Sequence, residues 1–402
     1  MAELLPFVGH VVAGGGAHAV VAPPYDALTP AQRTAMAAAD PRSFLNVLPP
    51  SGPEVEADLE HTLRACRRNL DRLLGDGHFR PIADPALAVV AIGTGADRAT
   101  AIVGDLEVGA FTATGEDRVL PHERVRPARV ANLVRYLEVV GIASSPVALT
   151  HRPHPAVPAA TAAATARPPD VAYRDEAGTD LALWLVDDAD LQAELRAAVA
   201  AAGRLFVADG HHRAAAVAAH RPGTGRVLSA ILPGDHLRIL PFHRRIHGLG
   251  TPVPAEALLQ RLRDRGLLLQ PLDGASPPAV PGIVHLAIGG TWWAVDLRER
   301  RTGAGPVESL DARRAEREVL APLLAAAEDP GTDTDPANDP RVVAVPAPQG
   351  LASLAAPDVV GVALAPPALE DVLAVAEAGE VMPPKTTYVL PKLRSGLLVV
   401  SR

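Results

Sequence analysis

Five consecutive residues, Asp209-Gly210-His211-His212-Arg213, place a carboxylate, two imidazoles and a guanidinium between an apolar run and an alanine run. Arg204 to Ala208 reads as a buried strand, Gly210 as a tight turn, and Ala214 to Ala219 as the body of a small-residue helix. A helix that starts this way directs its first N–H groups and the positive end of its dipole past the turn. With cationic side chains beside it, the turn is a candidate anion site, above all for phosphate. The same residues also allow a plainer arrangement, with Asp209 capping the helix and the histidines bonded to nearby backbone.

Further groups with chemical content follow strand-like runs that end at proline. Pro121-His122-Glu123-Arg124 sets a carboxylate between a histidine and a guanidinium, which keeps it ionised and suits a general base or a magnesium ligand. Leu240-Pro241-Phe242-His243-Arg244 is a basic cluster at a strand end. Near the end of the chain, Pro383-Pro384-Lys385-Thr386-Thr387-Tyr388 presents a cation and two hydroxyls at a proline-fixed bend, groups that a phosphate or carboxylate accepts. Pro23-Pro24 holds Tyr25 and Asp26 in a rigid turn. His243 and His247 are four apart, the spacing of a helical metal pair, but Pro241 and the surrounding alternation favour extended chain, so zinc is not expected. Ala13–Gly16 is glycine-rich without the Lys-Ser or Lys-Thr of a Walker-type loop.

The elements that must position these groups are read from periodicity. Strands are expected at 19–22, 44–48, 87–92, 100–106, 182–186, 226–232, 237–242, 284–288, 292–297, 342–345, 360–364 and 395–400. Helices are expected from Thr29-Pro30, where Thr caps and Pro opens the first turn, and over Val55–Leu73, Arg129–Val140, Asp190–Ala202, Pro254–Gly266, Leu310–Ala327 and Leu369–Ala378. The Pro/Ala/Thr-rich segment His151–Asp170 is the expected internal seam, and the acidic segment Glu328–Pro340 an exposed loop. Three regions result: 1–150, 171–250 and 251–402, within what is expected to be one integrated unit.

The chain has 402 residues, 48% hydrophobic and 21% charged, enough for one large core or two to three ordinary ones. Its 38 Lys+Arg against 46 Asp+Glu give a net charge of −8, which argues against broad nucleic-acid binding. A single cysteine, Cys66, excludes an internal disulfide and a cysteine metal cluster, and it falls on the apolar side of a helical repeat. No signal peptide and no bilayer-length apolar run are visible, so a soluble cytoplasmic protein without membrane contact is expected.

Taken in order, the Pro-Pro-Tyr-Asp, Pro-His-Glu-Arg, Asp-Gly-His-His-Arg, Leu-Pro-Phe-His-Arg and Pro-Pro-Lys-Thr-Thr-Tyr motifs resemble a widespread, largely uncharacterised prokaryotic family, the domain-of-unknown-function group numbered 1015. The Asp-Gly-His-His-Arg element is in turn similar to the phosphate-binding motif of the ParB/sulfiredoxin superfamily. The resemblance implies an α/β (α+β) fold of mixed sheets with flanking helices, in which a ParB/sulfiredoxin-like nucleotide-binding core carries additional α/β elements. It implies nucleotide binding by Gly210, His211, His212 and Arg213. The chain departs from the family at Ala214, where an aromatic is usual, and at Ala131-Asn132, where an acidic-basic pair is usual.

The function expected on these grounds is a nucleotide-dependent phosphotransferase acting on a small hydroxyl metabolite, with ATP or ADP and magnesium as cofactors. In that reading Glu123, His212 and Asp209 are catalytic. Gly210, His211, Arg213, Arg124, His122, Lys385, Thr386, His243 and Arg244 bind phosphate or nucleotide, and Tyr25 and Asp26 belong to the site. Its partners would be a nucleotide and a small substrate. The alternative is a non-catalytic nucleotide-binding switch of the ParB type with a protein or DNA partner. A metal-dependent hydrolase using His122, His211, His212 and His243 is a third reading, with a ligand spacing that matches no standard site.

Overall fold

Leu87–Ile92 is a run of six apolar residues with no polar alternation, and all six are buried. Such a strand must lie inside a sheet with both faces covered. The computed structural model describes residues 2–24, 28–48, 58–112, 115, 119–249, 253–300, 303–325, 335–356 and 358–402. Tyr25 and Asp26, together with Val55 and residues 328–334 of the acidic segment, lie outside the described residues.

The chain forms two compact units of mixed α/β structure. Met1–Pro121, Val125–Leu237 and Pro391–Arg402 make the first, and His122–Arg124 with Arg238–Leu390 make the second. These boundaries do not coincide with the three regions read from the sequence.

The first unit holds an eight-stranded sheet. Its strands are β1 (Leu4–Leu5), β2 (Leu87–Ile92), β3 (Ala99–Glu107), β4 (Val147–His151), β5 (Val171–Arg174), β6 (Asp180–Val186), β7 (Phe206–Asp209) and β8 (Arg226–Pro233). Their order is β7-β4-β8-β3-β2-β6-β5, with β1 beside β3. Only β4 and β8 run parallel; the other pairs are antiparallel. The helices of this unit include α1 (Leu59–Gly75), α2 (Pro127–Val139), α3 (Ala156–Ala164), α4 (Ala189–Ala201) and α5 (His211–His220). α2 packs on α5 and α3 on α4. A second sheet of four short strands, ordered Phe79–Pro81, His10–Val12, Leu398–Ser401 and Ile142–Ala143, ties residues 391–402 into this unit.

The second unit holds a seven-stranded sheet. Its strands are β9 (Arg238–His247), β10 (Leu269–Leu272), β11 (Ile283–Ile288), β12 (Thr291–Asp296), β13 (Val342–Pro346), β14 (Val359–Ala363) and β15 (Thr387–Leu390). The order is β10-β12-β11-β14-β9-β13. β9 changes partner along its length: Arg238–Pro241 pair with β15, and Phe242–Ile246 pair with β13. The core is gathered under α6 (Ala255–Asp264), the helical stretch 311–324 and α8 (Leu369–Glu377).

Several expected elements differ. Ala17–Val20 is a helical turn, not a strand at 19–22. Phe44–Asn46 is a 3-10 turn because Ser43 accepts the N–H of Leu45, which winds the backbone where a strand was expected at 44–48. The expected seam contains α3, whose Val157, Ala160 and Ala164 are buried in the core of the first unit. The helix expected over Leu310–Ala327 is an α turn α7 (Asp311–Ala315), a π stretch Glu316–Leu320 and a closing turn Ala321–Leu324. Among the described residues no helix is long and apolar enough to cross a membrane.

Candidate functional site

The turn after β7 is built as its sequence asks. β7 is an edge strand, and its pairing with β4 slips between Val207 and Asp209, releasing the chain just before the glycine. Gly210 then takes φ +103°, in the left-handed region, and caps α5. Its carbonyl accepts the N–H groups of Arg213 (2.8 Å) and Ala214 (3.1 Å). A Cβ on Gly210 would stand 2.9–3.0 Å from Nη2, Cζ and Nε of Arg213, so the guanidinium lies flat against the bare glycine. Conformation and space both demand glycine here.

Arg213 is anchored from behind. Its Nη1 donates to the carbonyls of Ser145 (2.8 Å) and Pro146 (2.5 Å). Its Nη2 lies 3.5 Å from the Asp209 carboxylate, which is also 3.5 Å from Lys392 Nζ. The Asp209 side chain is 42% exposed and that of Lys392 only 10%, so a largely covered lysine supports a carboxylate at the open side of the turn. His211 is buried. His212 Nε2 accepts the backbone N–H of Arg126 at 2.9 Å. A main-chain N–H can only donate, so Nε2 carries no proton and Nδ1 is the ring's remaining donor. Ala214 is buried in the core beneath α5.

The second unit gathers another set. Arg244, 4% exposed, donates from Nη1 to the carbonyls of Phe242 (2.9 Å) and Lys385 (3.0 Å), and from Nη2 to that of Pro384 (3.0 Å). It therefore clamps the proline bend, and Thr386 Oγ1 closes the bend onto Pro383 O at 2.6 Å. Lys385, held there at φ +56°, is the single non-glycine residue with positive φ among those described. Such backbone strain persists only when the surroundings enforce it. The Lys385 ammonium stands 5.2 Å from the centroid of the Phe242 ring.

Arg244 and His243, expected to bind anions, are buried and bonded within the protein. Arg244 is spent on carbonyls, and the charge of Glu316, itself 5% exposed, favours the arginine's protonated form against the burial that lowers its pKa. Burial pushes Glu316 up to about 7, against the pull of Arg244 and Arg313. His243 is 2% exposed and accepts the N–H of Leu364 on Nδ1 at 3.1 Å. Burial, with Arg244 beside it, pushes its imidazole down to about 4, so it stays neutral. Its place on β9 also makes the His243–His247 pair extended, as the sequence indicated.

His122 is buried and its carbonyl accepts the N–H of Met382 at 2.9 Å, which fastens 122–124 into the second unit. Glu123 is partly exposed and Arg124 exposed. The expected site residues thus fall into two sets. Asp209, Gly210, His211, His212 and Arg213 converge in the first unit, and His243, Arg244, Lys385 and Thr386 in the second. Sequence reasoning missed Lys392, Ser145, Arg126 and Glu316. Nothing local in the sequence marks the pairing of Lys392 with Asp209. Ser145 and Arg126 act through main-chain atoms that no residue type announces. Among the described residues no group of three or more His, Cys, Asp or Glu could hold a metal ion.

Fold and turn together define a mixed α/β protein with a glycine-capped helix start backed by two cations. The chain belongs to the family described as "Protein of unknown function (DUF1015)", whose model matches residues 4–313. The match stops before the Pro383–Tyr388 motif and Lys392. No curated protein matches the chain. Among solved structures it is similar to a mutant of free serine kinase in complex with ADP, at 17% identity and TM-score 0.36, over 72% of this chain and 87% of that one. It is also similar to SbnI with C-terminal truncation from Staphylococcus aureus, at 14% identity and TM-score 0.38, over 71% and 82%. A conserved hypothetical protein from Pyrococcus furiosus matches at 18% identity and TM-score 0.35, over 73% and 95%.

Proposed function

We propose that the turn after β7 binds the phosphates of a nucleotide, and that the protein is a nucleotide-dependent phosphotransferase for a small hydroxyl metabolite. One observation carries the reading: a left-handed Gly210 opens α5 with the Arg213 guanidinium laid against its bare Cα. Glycine at a helix start lets a phosphate approach the backbone closely, and the helix dipole and guanidinium favour its charge. In this reading the backbone of Gly210 and His211 faces the phosphates, as in the ParB/sulfiredoxin-like motif. Arg213 and Lys392 supply positive potential, and His212 donates through Nδ1. Asp209, more than two-fifths exposed and flanked by Arg213 and Lys392, is the carboxylate of the turn that would face magnesium. Phosphoryl transfer needs mainly positioning and positive potential, so ATP or ADP with magnesium is the cofactor this set suits. No step is assigned to His122, Glu123, Arg124, Lys385 or Thr386.

A second reading has its own support. Arg213 Nη1 and His212 Nε2 are already bonded to main-chain atoms, which fits a nucleotide-holding switch better than a site that moves a phosphoryl group. Thermal melting with ADP or ATP, with and without magnesium, tests the common claim. A nucleotide at about a hundred times its Kd adds roughly 2.7 kcal/mol, a rise of about 2–4 °C for a chain this size. The rise should vanish in Gly210→Ala. An unchanged melting temperature in the wild type, or equal rises in both proteins, removes the nucleotide site. Consumption of ATP with pooled hydroxyl metabolites then separates transferase from switch.

A further inference from the structure

Lys385 and Lys392 are the only lysines among the chain's 38 Lys+Arg; every other position of this charge is arginine. One of the two stands at the Gly210 turn, with Nζ 3.5 Å from the Asp209 carboxylate. The main chain just after it is pinned within the first unit. Arg394, its side chain 8% exposed, pairs with Asp175. Ser395 shares a hydrogen bond with the Ser145 hydroxyl, and its carbonyl accepts the N–H of Ala22 at 3.0 Å. Ser145 is also the residue whose carbonyl takes Arg213 Nη1. The Ser145–Ser395 contact therefore ties the segment that holds the Arg213 guanidinium to the segment that brings the Lys392 ammonium.

The two cations differ in what they can do. The Arg213 fork lies flat against Gly210 and gives Nη1 to two carbonyls, so its position is fixed. An ammonium is a point charge with three donors that turn freely on a flexible stem. Arginine is this chain's ordinary cation, so a lysine at the turn is used for what arginine does not offer. At 3.5 Å its contact with Asp209 is longer than the about 2.7–2.9 Å of a charge-assisted hydrogen bond. The Asp209 side chain is 42% exposed, so an anion that comes to the open side of the turn meets this carboxylate with the ammonium next to it. One carboxylate against two cations leaves this trio with a net positive charge, to which the start of α5 adds. A single phosphate seated on the helix start would occupy the backbone N–H groups and the fixed guanidinium. We propose that the Lys392 ammonium binds the second phosphate of the nucleotide, so that the turn selects nucleosides carrying two or more phosphates over monophosphates. The inference rests on the reading of this turn as a nucleotide site.

The test is calorimetric titration of the full chain with AMP and ADP in magnesium-free buffer, where no metal shares the charge. The wild type should bind ADP about tenfold or more tightly than AMP, the worth of a hydrogen bond to a charged group. Lys392→Gln should lose that gap and keep its AMP affinity, whereas a lysine that only held Asp209 in place would weaken both ligands alike. Equal affinities in the wild type, a gap that survives in Lys392→Gln, or a parallel loss of both ligands each overturns the role of Lys392 and leaves the nucleotide site standing. Binding of neither nucleotide to the wild type removes the site itself, and this inference with it. Should Lys392→Gln fail to fold, the wild type is treated with an acyl phosphate of ADP. Nζ, having given a proton to solvent, attacks the acyl carbonyl; an amide forms, the acyl–phosphate bond breaks and ADP leaves. With two lysines in the chain, mass spectrometry of a digest assigns the amide. Acylation of Lys392 that excess ADP suppresses is expected; no acylation there, or acylation indifferent to ADP, refutes the proposal.

Discussion

Gly210 is constrained twice, by a backbone angle that L side chains avoid and by the guanidinium packed against it. Gly210→Ala should therefore cost roughly 1–3 kcal/mol, read in denaturant unfolding, in addition to any loss of nucleotide response. Glu316 gives a second residue-scale expectation, in pH. Its folded pKa of about 7 stands above the ordinary 4.5, so the folded chain holds this proton more tightly than the unfolded chain. The stability it contributes is full below about pH 4.5 and is lost as pH rises through about 7. His243, pushed down to about 4, has the opposite slope below its ordinary 6.5, so wild-type melting alone mixes the two. Comparison with Glu316→Gln isolates the first: the wild type should lose ground to the variant between about pH 5 and about pH 8, and a constant gap would refute the assignment. At this scale the sequence was partly legible. Residue types located the Gly210 turn and the Lys385 bend, because glycine, paired histidines and paired prolines carry local conformational meaning. They did not reveal that Arg244 holds carbonyls, because a guanidinium spent on carbonyls and one waiting for phosphate look the same until burial is known.

The elements explain how such residues are held. β9 trades one partner strand for another at Pro241–Phe242, and Arg244, two residues later, reaches back to fix the Pro383–Thr386 bend. Replacing Arg244 by Met removes its bonds to the carbonyls of the bend and takes one of two cations, Arg244 and Arg313, from the buried Glu316. A loss of about 3–5 kcal/mol is expected, with hydrogen exchange accelerated first at the amides of 385–387. If exchange there is unchanged, the clamp is not what holds the bend. Periodicity revealed the long helices and the alternating or fully apolar strands, since those patterns are set by burial on one or two faces. It failed where a short polar contact redirects the backbone, as Ser43 does at Phe44–Asn46. It also failed in the 311–324 stretch, where a uniform helical repeat hides a π segment that carries Glu316 and Glu318 into buried positions.

At the scale of the molecule, neither unit is one continuous stretch of chain. Residues 391–402 follow all of the second unit yet supply the strand Leu398–Ser401 to the first, and Arg402 pairs there with the buried Asp105. Burial raises the pKa of Asp105 and lowers that of Arg402, so each is costly without the other. Deleting 391–402 should lower the melting temperature of the first unit by several degrees while the second unit's transition stays in place; a shift confined to the second would contradict this assignment. No periodicity argument could have found the arrangement, because the pairing of His10–Val12 with Leu398–Ser401 spans almost the whole sequence. Consider what this means as the polypeptide leaves the ribosome. Strands near the start must wait, unpartnered at one edge, until more than 150 intervening residues have been translated, since residues 238–390 come first. His122–Arg124, meanwhile, are made long before the segment that will receive them. Gene fragments cut at either boundary would therefore each encode an unfinished product, and only the uninterrupted reading frame delivers both halves their missing pieces.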